Sequence, residues 1–291
     1  MKKIETVNLE PGLYLVATPI GNLRDITLRA LDVLAGADIV VCEDTRVTGK
    51  LLNAYSLKKK MQSYNDHSAD QQRRALLEKL GNGGCIAMVS DAGTPLVSDP
   101  GFKLVRDALD LGIMVTSVPG ASAPLAALQL SGLPTDRFVF TGFCPSKKEA
   151  RRKFMQEWAH TPATLIMFET GPRLPSSLQD MADIFGADRL ASVVREITKK
   201  FEESRRGTLE QLVTWYTENE ARGEIVVVIG AAPEIETSDE DITKQIKKAL
   251  QTMSVKDAAA FVAAATGQPK KKIYEMALNV GNAENTEKND G

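Results

Sequence analysis

Carboxylates and hydroxyls stand among small residues in the segment 90 to 101, which reads S-D-A-G-T-P-L-V-S-D-P-G. Its glycines and alanine let backbone groups approach a bound molecule closely, and Asp91 and Thr94 add polar contacts. An apolar run at 85 to 89 precedes the segment, and apolar residues at helical spacing follow it. The pattern predicts a strand that ends in a ligand-binding loop, with Asp99 as the N-cap of the next helix.

Two more loops of small residues follow predicted strands, T-P-I-G-N-L at 18 to 23 and V-P-G-A-S-A at 118 to 123. The first carries a single glycine, so the G-x-G-x-x-G fingerprint of dinucleotide sites is missing. Its Pro19 also lacks the backbone N–H that a pyrophosphate would bind. Because ligands bind at the carboxyl ends of the strands in open parallel sheets, the three loops predict a shared cleft for a less anionic molecule.

Short apolar runs alternate with helical patterns, which predicts βαβ units, a largely parallel sheet and an α/β fold. Strands are expected at 13–18, 39–41, 85–89 and 114–118, and a second set at 138–141, 164–168, 191–195 and 225–229. Asp25 is the expected cap of the first helix. The predicted domains are an N-terminal α/β domain (1–125), a second α/β domain (126–235), a helix-turn-helix-like appendage (240–280) and a disordered tail (281–291).

The composition narrows the class of protein. The chain has 291 residues, 43% of them hydrophobic, and a formal net charge of −2. The small negative net charge argues against non-specific electrostatic binding of nucleic acid over the whole surface, but it permits a local basic groove. Cys42, Cys85 and Cys144 form no C-x-x-C pair, so we expect inert thiols in a reducing compartment and no metal site. No long apolar segment indicates a signal peptide or membrane span, which predicts a cytoplasmic protein.

A series of motifs in a fixed order resembles the ribosomal RNA small subunit methyltransferase I family, a branch of the tetrapyrrole methylase superfamily. The likeness spans about residues 12 to 230 and extends to the helical tail. Where relatives often read Y-H-E-H-N, this chain has Y-N-D-H-S at 64 to 68. The motifs are L-V-A-T-P-I-G-N-L-R-D-I-T-L-R-A (15–30), E-D-T-R (43–46), S-D-A-G-T-P (90–95), D-P-G (99–101), G-L-P-T-D-R-F (132–138), F-E-T (168–170), R-E-I-T-K (195–199) and G-E-I-V-V-V (223–228).

The resemblance implies two α/β domains with S-adenosylmethionine in the cleft between them, and a homodimer. It implies methyl transfer to the ribose 2′-hydroxyl of a decoding-site cytidine in 16S rRNA, on the small ribosomal subunit. Three residues of the second domain would contact the adenine side of the cofactor: Phe168, Ile225 and Val226. The other cofactor contacts carried over by position are Thr18, Pro19, Asp91, Thr94, Val97, Ser122 and Ala123.

Methyl transfer to a ribose hydroxyl needs no metal, but a base or a cation that stabilises the developing alkoxide would help. Asp44, His67 and Lys199 are the catalytic candidates. Each has a structural alternative: an N-cap or a salt bridge to Arg46 for Asp44, a solvent-facing loop position for His67, and a solvated charge cluster for Lys199. The sequence does not choose among them.

Contact with RNA requires cations that neutralise phosphates. A basic run at 147 to 153, K-K-E-A-R-R-K, follows a predicted strand end on the side of the cleft. The alternative is a solvated helix face. The predicted RNA-binding residues are Arg24, Arg46, Lys147, Lys148, Arg151 and Arg152. A second basic patch, at 270 to 272, opens the last predicted helix.

Two rival functions stay open at this point. One is a methyltransferase for a small tetrapyrrole, although a macrocycle would need neither the basic run nor the tail helices. The other is a non-catalytic ribosome assembly factor that retains a cofactor cleft.

Overall fold

The computed structural model describes residues 7–64, 70–233, 239–266 and 268–289. Two compact units divide the chain, one ending at Ala232 and one beginning at Pro233. The first unit contains two five-stranded sheets, and the second is helical. The architecture is therefore α/β with a C-terminal group of helices, as predicted.

The first sheet has the strand order β3-β2-β4-β1-β5, and every neighbouring pair is parallel. Its strands are β1 (Gly12–Val16), β2 (Ile39–Cys42), β3 (Met61–Ser63), β4 (Cys85–Val89) and β5 (Val115–Val118). Four helices connect them: α1 (Leu28–Gly36), α2 (Thr45–Ala54), α3 (Asp70–Gly81) and α4 (Phe102–Asp110). Apolar clusters cover both faces, which is why the central strands are almost continuously apolar.

Two predicted helix caps are wrong. Asp25 lies in a short 3-10 turn, and Thr27 caps α1 by accepting the Ala30 N–H at 3.0 Å. Asp99 does not cap α4, because the chain turns at Gly101, with a φ of 123°, and the helix begins one residue later without a side-chain cap. A side chain at position 101 would collide with the Met88 side chain, so the turn there depends on glycine.

The second sheet has the order β6-β7-β10-β8-β9, and only β6 and β7 are parallel. The expectation of a largely parallel sheet is wrong here, since β10 runs antiparallel to both β7 and β8. The short connection from β8 to β9 favours antiparallel pairing of those two strands as well. The strands are β6 (Phe138–Phe143), β7 (Thr164–Thr170), β8 (Leu190–Arg195), β9 (Glu203–Thr208) and β10 (Glu224–Ile229). The helices are α5 (Ala123–Ser131), α6 (Lys148–Trp158), α7 (Leu174–Phe185) and α8 (Leu209–Glu218).

Helix α5 and a loop of the first sheet pack into the apolar core of the second sheet. Helix α5 follows the first sheet but lies against the second, where Ala127 and Leu128 pack with Ile166 and Val226. Ile20, from the loop after β1, is buried in the same cluster. The strand ends of the first sheet are thereby held against one face of the second.

The second unit has its own apolar core, formed by three helices: α9 (Asp239–Leu250), α10 (Val255–Thr266) and α11 (Lys270–Asn289). Fully buried Ile242, Ile246 and Ile273 lie at its centre. The last helix continues to Asn289, beyond residue 280, where the predicted appendage ends. Among the described helices, none combines the length and the apolar character needed to cross a bilayer.

Candidate active site: a cleft between the two sheets

A cleft of about 300 Å³ opens between the two sheets of the first unit. Its volume is at the lower end of the range of about 300–1,000 Å³ for small-molecule sites. The first sheet contributes loops that follow β1, β4 and β5, which is the edge that the sequence predicts. The lining residues from these loops are Ile20, Ser90, Asp91, Ala92, Gly93, Thr94, Val97, Ser98, Asp99, Ser122, Ala123 and Pro124. The second sheet contributes Phe143, Phe168, Glu169, Thr170, Ile197, Gly223, Glu224, Ile225 and Val226.

Hydrogen bonds join the three small-residue loops. The Thr18 and Gly93 backbones exchange two bonds, at 2.9 and 3.2 Å. The Thr18 hydroxyl donates to the Ser90 carbonyl, and the Thr94 hydroxyl donates to the Ala121 carbonyl, each at 3.1 Å. Thr18 is buried by these contacts, so its side chain positions the loops. Gly93 permits the close approach, because a Cβ there would lie 3.0 Å from Ile20.

The cleft brings together eight of the ten predicted cofactor residues, namely Asp91, Thr94, Val97, Ser122, Ala123, Phe168, Ile225 and Val226. Thr18 and Pro19 do not line it. The backbone of the same loop still shapes the cleft, because Ile20 forms part of the wall. Leu96 and Ser98 in the loop after β4 have positive φ angles of 70° and 67°. Such strained backbone is concentrated at ligand sites, where surrounding structure holds it in place.

A group of carboxylates borders the cleft on the side of the first sheet. The Asp91 carboxylate accepts the Asp44 backbone N–H at 3.1 Å. Burial raises the pKa of Asp99, the Ser90 hydroxyl partly opposes that, and the charge of Asp91 adds to it. Glu43 has a pKa raised by burial and by the charges of its acidic neighbours. Asp99 is therefore a stronger proton acceptor than an ordinary aspartate, and it lines the cleft.

Asp44 is a helix cap paired with Arg46, which is the structural alternative to a catalytic role that the sequence leaves open. It caps α2 by accepting the Arg46 N–H at 2.7 Å, and its second oxygen contacts the Arg46 guanidinium at 2.6 Å. These bonds lower the pKa of Asp44 to about 2. The carboxylate does not line the cleft, and it is a weak proton acceptor near neutral pH. Arg46 is exposed but already paired.

Lys199 is held by two carboxylates, with its Nζ 3.1 Å from Glu196 and 2.9 Å from Glu224. Partial burial would lower the pKa of Lys199, but the bonds to Glu224 and Glu196 outweigh it and raise the pKa. The group is therefore a permanent cation near neutral pH. Its side chain crosses Gly21 so closely that a Cβ there would lie 2.6 Å from the Lys199 Cγ. His67, the third catalytic candidate, lies outside the described residues.

The basic run divides into two pairs with different surroundings. Lys147 and Lys148 are exposed at the start of α6, where β6 leaves the edge of the cleft. Arg151 is 4% exposed, and its guanidinium is bound by the buried Asp180. Arg152 bonds to Asp180 and Asp183. The prediction of RNA contact is therefore wrong for Arg151, and Arg152 is engaged within the protein; Arg24 is exposed.

The cleft also contains residues that were not among the predicted site residues, including Asp99, Phe143 and Glu169, whose side chains are ionisable or aromatic. Glu169 is buried on β7, where it accepts bonds from Ser177 and Arg173, each at 2.5 Å. The motif F-E-T at 168 to 170 carries the signal for Glu169, since a charged residue inside an otherwise apolar strand needs partners.

The cleft is chemically suited to S-adenosylmethionine. Apolar walls at Phe168, Ile225 and Val226 can cover an adenine ring. The carboxylates of Asp91 and Asp99 can meet hydroxyls and positive charge. The small loops allow close backbone contact, and no phosphate has to be accommodated. Within the described part of the chain, no cluster of three side chains could hold a metal ion.

Comparison with known proteins agrees with this geometry. Residues 12–213 match the family model of tetrapyrrole (corrin/porphyrin) methylases, and residues 236–280 match the RsmI C-terminal HTH domain. Relatives named "Ribosomal RNA small subunit methyltransferase I" include the protein of Mesorhizobium japonicum, 47% identical over 94% of this chain and 93% of that one. The protein of Erythrobacter litoralis is 48% identical over 94% of this chain and 96% of its own.

Solved structures show the same fold at low sequence identity. A cobalt precorrin-4 methyltransferase has a TM-score of 0.56 at 18% identity, over 75% of this chain and 94% of that one. A uroporphyrin-III C-methyltransferase from Thermus thermophilus, complexed with S-adenosyl homocysteine, has a TM-score of 0.52 at 22% identity. The match covers 75% of this chain and 97% of that one. The chain thus belongs to the ribosomal RNA small subunit methyltransferase I family of S-adenosylmethionine-dependent enzymes, within the tetrapyrrole methylase fold.

Proposed function

We propose that this protein methylates the 2′-hydroxyl of a decoding-site cytidine in 16S rRNA, acting as a cytoplasmic homodimer on the small ribosomal subunit. The observation that carries the proposal is the combination of family membership with a cleft whose rim continues into exposed lysines. The division into two α/β domains, a helical appendage and a tail is part of the same proposal.

The cleft has to bind the methyl donor and align it with the hydroxyl. When bound, S-adenosylmethionine supplies a methyl group on a sulfonium that a nucleophile can displace in line. The bonded loops around Thr94 and Gly93 fix the first-sheet wall, so little reorganisation is needed on binding. Alignment of two reactants by a rigid site contributes several kcal/mol, up to about 7–11 in the most favourable systems.

The ribose hydroxyl has to lose a proton during the transfer. Asp99 is the best-placed acceptor among the described carboxylates, because it lines the cleft and its raised pKa brings its proton affinity closer to working pH. Asp44 is held as a low-pKa helix cap, and Lys199 is held protonated by Glu224 and Glu196. We therefore assign Asp99 as the general base and Lys199 as a fixed cation at the rim. His67 stays a prediction.

RNA would approach along the edge of the second sheet. Lys147 and Lys148 stand beyond the end of β6, and Arg24 lies in the loop after β1. These cations are the groups we assign to backbone phosphates. Arg46 is a weaker candidate because Asp44 compensates its charge.

The decisive experiment is transfer of labelled methyl from S-adenosylmethionine to three substrates in parallel. They are small subunits without the native methyl group, naked 16S rRNA, and a tetrapyrrole precursor. Label on a cytidine ribose in the subunits is the expected result. Label on the macrocycle would replace this function with small-molecule methylation. Tight cofactor binding without transfer to any substrate would favour an assembly factor.

A further inference from the structure

An exposed aromatic ring at the edge of the cleft has no part in the chemistry described so far. Phe143, the last residue of β6, lines the cleft, and its accessible fraction is 56%. Other phenylalanines, such as Phe102 and Phe201, are also more than half exposed, but Phe143 differs from them in lining the cleft. The ring is supported from within, with its centroid 5.0 Å from that of Phe168.

A β-bulge gives Phe143 its direction. In a regular strand, residues 140 and 143 would point to opposite faces. The pairing with β7 shifts between Phe140 and Gly142, and Gly142 has a φ of 80°. As a result, the rings of Phe140 and Phe143 both contact Phe168, at centroid distances of 4.9 and 5.0 Å. Bulges next to active sites commonly redirect a side chain in this way.

The neighbours of Phe143 define what could lie on it. The loop residues Ser98 and Asp99 of the first sheet line the same cleft as Phe143. From Phe143 the chain continues to Lys147 and Lys148, which are exposed at the start of α6. A flat, uncharged surface thus shares the cleft with the proposed proton acceptor and shortly precedes the proposed phosphate contacts in the chain. A nucleotide whose ribose enters the cleft could place its base on this surface.

We propose that Phe143 is the platform on which the base of the target nucleotide stacks while its ribose lies in the cleft. Proteins that recognise RNA commonly stack unpaired bases on aromatic side chains, and enzymes that act on a base first take it out of its stack. The inference rests on the proposed function and deepens it. Phe143 is a positioning residue, since it aligns the 2′-hydroxyl through the base and takes no part in proton transfer.

The test compares Phe143→Leu, which keeps apolar bulk without a ring, with Phe143→Tyr, which keeps the ring. Phe138→Ala is the matched control, because Phe138 is also partly exposed, at the opposite end of the same strand. Methyl transfer to small subunits gives kcat and KM, and calorimetry gives the affinity for S-adenosylmethionine. Base stacking on an aromatic residue is worth about 1–3 kcal/mol. Phe143→Leu should therefore lower kcat/KM for the subunit about 5- to 150-fold.

The other measurements should separate this role from the alternatives. Cofactor affinity should stay within about twofold in all variants, and Phe143→Tyr and Phe138→Ala should retain kcat/KM. Full activity of Phe143→Leu would overturn the proposal. A parallel loss of cofactor affinity would also overturn it, by assigning the ring to the adenine wall. Failure of the unaltered protein to methylate the subunit would instead remove the proposed function itself.

Discussion

Arg151 and Asp180 form a buried ion pair that fixes α6 to α7. The Nε and Nη2 atoms of Arg151 donate to one Asp180 oxygen at 2.8 and 2.6 Å, and Arg152 donates to the other at 2.9 Å. The Arg151 and Asp180 side chains are 5% and 3% exposed. The pair therefore anchors the helix whose first turn presents Lys147 and Lys148.

Removal of one partner from this pair should destabilise the protein strongly. Arg151→Ala would leave the Asp180 carboxylate buried with only Arg152 as counter-charge, and breaking a buried pair costs about 3–5 kcal/mol. The free energy of unfolding from denaturant titration measures the loss. Lys153→Ala, an exposed position on the same helix, is the control and should change stability by less than about 0.5 kcal/mol. A loss below about 1 kcal/mol for Arg151→Ala would show that the pair contributes little.

Charge reversal at Lys147 and Lys148 should weaken the engagement of RNA without weakening cofactor binding. Each lost phosphate contact removes part of the counterion release, so the slope of log affinity against log salt should shrink by about 1 to 2. The measurement is kcat/KM on small subunits over a salt series. Lys58 and Lys60 are exposed before β3, an edge strand of the first sheet, and their reversal is the control. An unchanged slope would remove Lys147 and Lys148 from the interface.

The basic run shows why part of the site could not be read from the sequence. Arg151 and Lys148 are three residues apart and chemically similar, but the partner of Arg151 is 29 positions further along the chain. Long-range pairing of this kind leaves no local pattern. The loops of the first sheet could be predicted, since apolar strands and small residues place them at one edge of a parallel sheet. Strand β9, E-S-R-R-G-T, was missed because it lacks apolar alternation.

The position of Asp99 in the cleft was missed for a related reason. An aspartate followed by proline before a helical pattern is typical of an N-cap, and that local pattern predicted the wrong environment. The structure turns the chain at Gly101, so that Asp99 faces Ser90 and Asp91 of the cleft instead. Its raised pKa depends on burial by the surrounding loops, which no local pattern contains.

The Thr94 hydroxyl should contribute to cofactor affinity by holding two loops of the cleft together. It donates to the Ala121 carbonyl, and a hydrogen bond of this kind has a net worth of about 0.5–1.5 kcal/mol. Thr94→Ala should therefore weaken S-adenosylmethionine binding about 2- to 12-fold in calorimetry. Thr94→Ser keeps the hydroxyl and should bind as the unaltered protein does. Equal affinity of the alanine and serine variants would contradict the role of this bond.

Asp99→Asn should separate catalysis from binding. Loss of a general base typically lowers the rate about 10²- to 10⁴-fold, so kcat should fall in that range while cofactor affinity changes little. For the unaltered protein, kcat should decline as pH falls through the raised pKa of Asp99, because the carboxylate that accepts the proton is lost. Lys199 has a raised pKa and stays charged over this pH range. Lys199→Met should therefore show the same decline of kcat toward low pH as the unaltered protein.

The raised pKa of Asp99 should affect stability in the opposite direction from activity: kcat declines as pH falls, whereas the cost of the buried charge to folding is relieved. A carboxyl group with a raised pKa disfavours the folded state when it is charged, so the penalty is present above the folded pKa. It is relieved as pH falls through the folded pKa toward the ordinary value of 3.8. Asp99→Asn should thus equal or exceed the unaltered protein in free energy of unfolding at pH 7, and the difference should shrink toward acid pH. A variant that loses both stability and activity at pH 7 would mean that Asp99 supports the loop and is not the base.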